Sequence, residues 1–239
     1  NFFPVSAQIK IQFIRIIFAV SEFTRQRILA LFRCDPGKIR ITPNAVDPIF
    51  QCPRPPEQPD TQNLVPEEPF VLQVGGLTRK KGATAILALA QELTRRQSPL
   101  RIVVIGPVES EFELAANVCP GLIRLDRGLS PEAIRWITEE ARVAILPSEY
   151  EGFGIPLLEA MSVGVPAVAS QHASLPEIAG PGGLIVDPTA TRAFADLVES
   201  LHSDSGIRAD AIESGYRRAA AFSWKSTAEL IRDAFFEFS

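Results

Sequence analysis

Two stretches carry side chains whose types and spacing could act on a phosphorylated ligand. GGLTRKKG (75–82) sets Gly75 and Gly76 ahead of Arg79, Lys80 and Lys81. Glycines let backbone N–H groups come close to a ligand, and a helix beginning just after them adds partial positive charge. With three cations, this is a seat for a diphosphate. It matches neither GxxxxGK[ST] nor GxGxxG. The competing reading is a solvated charge run at a helix start. Cations there oppose the helix dipole, so an anion that reconciles them is the better account. The second stretch, EGFGIPLLE (151–159), puts Glu151 in a loop and Glu159 about one turn into a helix. The amides around Gly154 and Ile155 open from the mouth of that helix and can receive an anion. Carboxylates accept hydrogen bonds from vicinal diols, so two of them framing an anion site suit a ligand with hydroxyls on both sides of its phosphates. Read singly, Glu159 is equally a surface helix residue, and Glu151 a first-turn acid that offsets the dipole. A third stretch, SQHASLPEIAG (170–180), offers Ser170, Ser174 and Glu177 without a specific chemistry.

Composition narrows the classes. The 239 residues are 46% hydrophobic and 22% charged, enough apolar content for a sizeable core. A net charge of −4 argues against nucleic-acid binding, which rests on a basic face. Cys34, Cys52 and Cys119 are scattered and odd in number, which points to a reducing compartment. His172 and His202 are isolated, read as surface residues, and make a zinc site improbable. No run reaches the length of apolar residues that spans a bilayer. The opening NFFPVSAQIKIQFIRIIFAV is interrupted by Lys10 and Arg15 and has no cleavage-site pattern. It reads as a helix and strand lacking their neighbours, with a membrane-surface helix as the other reading.

The elements that must position these residues are those of an α/β fold. FVLQVGG (70–76), RIVVIG (101–106), VAILPS (143–148), AVAS (167–170) and LIVD (184–187) are short, β-branched and apolar on both faces, as strands of a covered parallel sheet are. Helical patterns lie between them at 83–97, 130–141, 156–164 and 191–203, with Ser130 and Pro131 as cap and first residue and Gly164 as a stop. Strands alternating with helices predict a Rossmann-like doubly wound sheet. Upstream, FAVSEFTRQRILALF and KIRITPNAVD read as one more strand–helix–strand fragment. CPRPPEQPDTQNLVPEEP (52–69) is too proline-rich for helix or central strand. FSWKSTAELIRDAFFEF ends the chain as an amphipathic helix capped by Ser223. In a doubly wound sheet, ligands bind beyond the carboxyl ends of the strands, where all three stretches fall.

EGFGIPLLEAMSVGVPAVAS, with PS before it and LPEIAG and GGLIVDP after it, resembles the retaining nucleotide-sugar glycosyltransferases of the GT-B fold, family 4, whose signature is two glutamates separated by seven residues. VSEFTRQRI, KIRITPNAVD, VGGLTRKKG and the late FSW match in order, so the resemblance runs from about residue 18 to the end. It implies the C-terminal domain of a GT-B fold. Residues 1–50 would be the end of the N-terminal domain and the crossover, 51–69 a linker loop and 70–222 the nucleotide-sugar-binding domain. Residues 223–239 would be a helix packing back toward the N-terminal domain. It implies that Glu151 faces the donor sugar and Glu159 the ribose. The backbone of Phe153, Gly154 and Ile155 meets the diphosphate, alongside Gly75, Gly76 and Arg79. Lys80 and Lys81 neutralise the departing diphosphate, and the backbone from Leu125 through Arg127 to Gly128 receives the base. No metal or other cofactor is expected.

The implied partners are GDP-mannose or a UDP-sugar as donor, a glycan or lipid-linked acceptor in polysaccharide biosynthesis, and a missing N-terminal domain or split subunit. The implied place is the cytoplasm, peripheral at the inner membrane face. Departures from the family pattern are Gly76 where relatives carry Arg, Ala45 for Gly, Arg127 for Gly, and Gly106-Pro107 for Gly-x-Gly. The SLPE loop resembles mannosyl- and rhamnosyl-transferring members. Two alternatives stay open at this level: an inverting relative such as a nucleotide-sugar epimerase, and a non-catalytic module that binds nucleotide or a partner.

Overall fold

The computed structural model describes residues 13–53, 65–125 and 128–237. Arg127, most of the proline-rich stretch and the first twelve residues lie outside them. The chain enters through β1 (Ile17–Ala19), α1 (Glu22–Leu31) and β2 (Ile39–Ile41), with β1 and β2 paired in parallel. Ser21 caps α1 by accepting the N–H of Thr24 at 3.0 Å. A short turn, Pro48–Phe50, then leads to the main domain.

That domain is built on β3 (Phe70–Val74), β4 (Arg101–Ile105), β5 (Leu122–Leu125), β6 (Val143–Leu146), β7 (Ala167–Ser170) and β8 (Leu184–Val186). All pair in parallel, in the order β5-β4-β3-β6-β7-β8. The helices between them are α2 (Ala83–Arg95), α3 (Glu113–Val118), α4 (Pro131–Glu140), α5 (Ile155–Ser162), α6 (Leu175–Ala179), α7 (Thr191–Ser203), α8 (Ser205–Ala219) and α9 (Trp224–Phe236). Alternate strand residues feed two cores. Leu72, Val103, Ile105, Ala144 and Ala169 pack under α4, α5 and α6. Val71, Ile102, Val104, Ile145 and Val168 pack under α2 and α7 around Phe194. Burial on both faces is why these strands read as continuous apolar runs rather than alternating ones.

The strands and helices named from about residue 18 onward are present, most with trimmed ends, whereas the helix read at the start of the chain lies outside the described residues. β3 and β4 stop short because Gly75 and Gly106 take φ of 120° and 124°, outside any strand conformation, and β6 stops before Pro147. Four elements are additional. β5 and α3 are short. α6 occupies part of the 170–180 stretch read as a loop. At five residues it shows no period, yet it buries Leu175 and Ile178. α8 carries Gly206 and Gly215 and has little contrast between its faces, so it is specified by packing: a Cβ on Gly215 would stand 3.2 Å from Met161 Cγ. Both histidines are half-buried rather than on the surface, and His202 Nδ1 has no partner among the described residues.

The fold makes a stability prediction. Phe194 is fully buried and Phe236 is 71% exposed, so Phe194→Ala should cost about 3–5 kcal/mol and Phe236→Ala about 0.5 kcal/mol or less. Urea denaturation of the two variants reads the difference; equal losses would refute the placement of this core.

Candidate functional site

The strand order reverses between β3 and β6, and the loops leaving those neighbouring strands are the two stretches that carry the charged residues. This is the switch point at which doubly wound sheets open a crevice for ligand. The β3 loop is folded tightly on the β4 loop. The N–H groups of Gly75 and Gly76 both donate to Ile105 O, at 2.8 and 2.9 Å. A Cβ on Gly76, whose φ is 83°, would lie 2.0 Å from Pro107 O. An arginine at this position is therefore incompatible with this backbone, which gives the departure at Gly76 a physical reason. The loop ends in the turn Thr78–Lys81 and at Gly82, a left-handed cap for α2.

The two loops are joined. Glu149 N–H donates to Lys80 O at 3.0 Å, and Lys81 Nζ stands 2.5 Å from Glu151 Oε1. Ser148 Oγ donates to the same carboxylate oxygen at 3.1 Å. Glu151 is only 9% exposed, and a carboxylate so placed is stable only while it is paired. Lys80 is exposed, with its ammonium 5.6 Å from the centre of the Tyr150 ring. Arg79 lies at the rim. Its guanidinium makes a two-point pair with Glu111 at 2.8 and 3.2 Å, and its N–H donates to Glu109.

The backbone after Glu151 is held by hydroxyl groups. Ser174 Oγ lies 2.9 Å from Glu151 O and 3.0 Å from Phe153 O, and serves both. Ser21 Oγ and Thr24 Oγ1, from the start of α1, lie 2.7 and 3.1 Å from Gly152 O. Three consecutive carbonyls are thereby drawn into the protein. In a trans peptide the N–H points opposite to the C=O, so the amides of Gly152, Phe153 and Gly154 face away from those hydroxyls. Neither these three nor Ile155 N–H meets an acceptor among the described residues. Gly154, at φ 107°, turns the chain into α5, and a Cβ there would collide with Leu175 Cδ2 at 2.7 Å. Unpartnered amides at the positive end of a helix form an anion-binding concavity. The Phe153 side chain plays no part in it, being buried edge-on against Phe222 at 5.6 Å.

Glu159 follows one turn along α5. Its side chain is half-buried and accepts no hydrogen bond among the described residues. Burial, and then the negative charge of Asp47, push its carboxyl group up to about 7. Asp47 comes from the crossover, where its carboxylate caps the turn Pro48–Phe50 through Ile49 N–H at 2.9 Å. Trp224 Nε1 donates to Val46 O at 3.1 Å and Thr227 Oγ1 to Pro43 O at 2.5 Å, so α9 fixes that segment. Asp47 was inside a quoted motif, PNAVD, but nothing in its spacing marked it as a neighbour of Glu159. Leu125 closes β5 and is buried, whereas Arg127 lies outside the described residues. Glu177, unassigned by sequence reasoning, receives the N–H groups of Glu22 and Phe23 at 2.8 and 3.1 Å and so holds the N-terminus of α1. Among the described residues, no cluster of three or more His, Cys, Asp or Glu side chains could hold a metal ion.

The chain is 33% identical over 222 residues to O-antigen chain mannosyltransferase B of Escherichia coli, covering 89% of this chain and 58% of that protein. It is 31% identical over 224 residues to the MMP alpha-(1->4)-mannosyltransferase of Mycolicibacterium hassiacum, covering 89% of this chain and 51% of that one. It thus spans little more than half the length of these relatives. Sucrose-phosphate synthase from Thermosynechococcus elongatus superposes with a TM-score of 0.78 at 20% identity, over 97% of this chain and 60% of that structure. The fold is the Rossmann-like C-terminal domain of GT-B glycosyltransferases. Residues 56–218 match the family model described as glycosyl transferases group 1. With its paired loops at the switch point and most of its length inside that match, the chain belongs to the glycosyl transferases group 1 family.

Proposed function

We propose that this chain is the donor-binding half of a retaining family 4 glycosyltransferase, which moves a hexose from a nucleoside-diphosphate sugar to a glycan or lipid-linked acceptor. The observation that carries the reading is the row of unpartnered amides at the start of α5, set against the Lys81–Glu151 pair. A diphosphate in that row neutralises the helix end and competes with Glu151 for Lys81. Glu151 is thereby released toward the sugar, while Lys80 and Lys81 meet the charge that develops as the glycosidic bond to phosphate breaks. The acceptor hydroxyl attacks from the same face, and the departing phosphate takes its proton. Arg79 reaches a phosphate only by leaving Glu111. Glu159 takes the ribose hydroxyls, and Leu125 with the backbone through Arg127 takes the base. Gly75 and Gly76 do not offer their own N–H groups, which Ile105 O already holds; their part is to let the loop bend at positive φ and lie close without side chains.

Mannose is the proposed sugar because two relatives sharing about a third of their aligned residues are named mannosyltransferases, and GDP-mannose is the proposed donor ahead of a UDP-sugar. The activity needs an N-terminal domain or split subunit. We assign that partner to the face formed by β1, β2 and α9, where Phe13 is 82% and Phe235 58% exposed. No helix among the described residues is long and apolar enough to cross a membrane; a peripheral position at the inner membrane face belongs to the proposal.

Calorimetric titration with UDP, GDP and ADP tests the donor site. One diphosphate should bind, and Lys80→Ala/Lys81→Ala should weaken it by about ten- to a hundredfold, as expected for lost charge-assisted contacts. Glu159→Ala should weaken the nucleoside and its diphosphate alike. Absence of binding to all three would refute the assignment.

The protonation of Glu159 adds a pH signature. Near its elevated value of about 7, the carboxyl group gains charge as pH rises, and the charged form is the better acceptor for ribose hydroxyls. Nucleoside affinity should therefore rise between about pH 6 and pH 8. In Glu159→Gln, which cannot ionise, the affinity should be flat over the same range. A rise that persists in the glutamine variant would place the titrating group elsewhere.

A further inference from the structure

We propose that the cavity between α1 and the loops after β6, β7 and β8 is a subsite for a pyranose ring of the acceptor glycan; the inference rests on the transferase reading above. The cavity holds about 950 Å³, at the upper end of the range for small-ligand sites. One wall is aromatic: Phe23 of α1 and Tyr150 meet edge to face at 5.4 Å, and Tyr150 remains 43% exposed. Buried Pro147 and Pro188 extend that apolar surface. Around it, Glu149, His172 and Thr189 offer separate hydrogen-bonding groups. A wholly apolar ligand would strip water from those groups and give nothing back. An anion would meet the carboxylate of Glu149 against one exposed cation, Arg27, among the residues lining the cavity. A pyranose satisfies both halves, with a C–H face for the ring of Tyr150 and hydroxyls for the rim.

The backbone gives an independent sign. Ala173 takes a φ of 56°, a left-handed conformation unfavourable for a residue with a Cβ, of the kind that collects at functional sites. It stands between His172, which lines the cavity, and Ser174, which holds the Glu151 and Phe153 carbonyls. The loop is fixed on both sides, since Gln171 N–H donates to Val186 O at 3.0 Å and His172 N–H to Ser170 Oγ at 3.3 Å. One strained loop thus forms the wall of the cavity and holds the backbone of Glu151, whose chain neighbour Tyr150 is the aromatic platform. A ring seated there lies beside the place proposed for the reacting carbon. The donor's own hexose has the same chemistry, and the test separates the two sources.

The chain has only two histidines; His172 lines the cavity, and His202 lies at the far end of α7, about three turns from Thr191 at the cavity and near Arg142 at the start of β6. Imidazole NMR signals of the whole chain, titrated with α-linked mannobiose to millimolar concentration, therefore carry an internal control. The expected result is a saturable shift of His172 alone, weakened about tenfold in Tyr150→Ala, in line with the worth of one aromatic contact. Tyr150→Phe should retain it, and Glu159→Ala should leave it unchanged. An unmoved His172, or equal unsaturable drift of both signals, overturns the subsite. If His172 responds to GDP-mannose but not to free mannobiose, the cavity belongs to the donor sugar and the acceptor assignment fails. Nucleotide titration of the same sample tells which reading has fallen. Intact nucleotide binding with a silent His172 refutes the subsite alone, and loss of both refutes the transferase reading on which it rests.

Discussion

The hydroxyls that hold the carbonyls of Glu151, Gly152 and Phe153 are the constraint on which the site depends. A glycine-bearing loop has many backbone conformations of similar energy, and only some of them present a row of N–H groups in one direction. Ser174, Ser21 and Thr24 select one by binding the opposite ends of the same peptides. The selection is made before any ligand arrives, so a bound anion does not have to order the loop. The cost is that these amides stand without acceptors among the described residues, a state that a ligand or water would relieve. The proposed anion seat therefore rests on the backbone as well as on the lysines.

The hydroxyls reach the loop from distant parts of the chain. Ser174 follows the next strand, β7, whereas Ser21 and Thr24 begin the crossover helix some 130 residues earlier. Glu177 closes the arrangement by binding the first two amides of that helix. A carboxylate at a helix N-terminus is favourable by itself, and here it also fastens α1 to the loop after β7. A displacement of α1 would pull on Gly152 O and rotate the peptide that carries the Phe153 N–H. The crossover is thus mechanically coupled to the loop after β6 through two hydroxyls and one carboxylate.

The sequence carried five of the six strands of the main sheet, most of the helices between them and the two charged loops, because each depends on a local signal. β-branched runs mark strands buried on both faces, and glycines with lysines or glutamates beside them mark strand ends where backbone must approach a ligand. α8 was not legible, since Gly206 and Gly215 weaken its pattern and its place is set by close packing on Met161. The Ser174 and Ser21 contacts were not legible either. A serine has the same composition signature whether it faces water or holds a carbonyl 131 residues away, as Ser21 does. Glu159 was recognised as one of a spaced pair, but its elevated proton affinity comes first from burial and then from Asp47, and only the folded chain supplies either.

The three acidic and basic elements of the site differ in what the fold does to them, and the differences suit different tasks. Glu151 is nearly enclosed yet paired with Lys81 and Ser148, so it waits in a satisfied state from which a competing anion can free it. Glu159 is deprived of partners and set near a like charge, so its ionised form gains most when hydroxyl donors arrive. Lys80 stays in solvent beside an aromatic ring, so its charge remains mobile and lightly committed. A single desolvated cluster of these groups would have locked into mutual ion pairs and resisted a ligand. Distributing them among a buried pair, a lone acid and an exposed cation leaves each with an interaction that binding can improve.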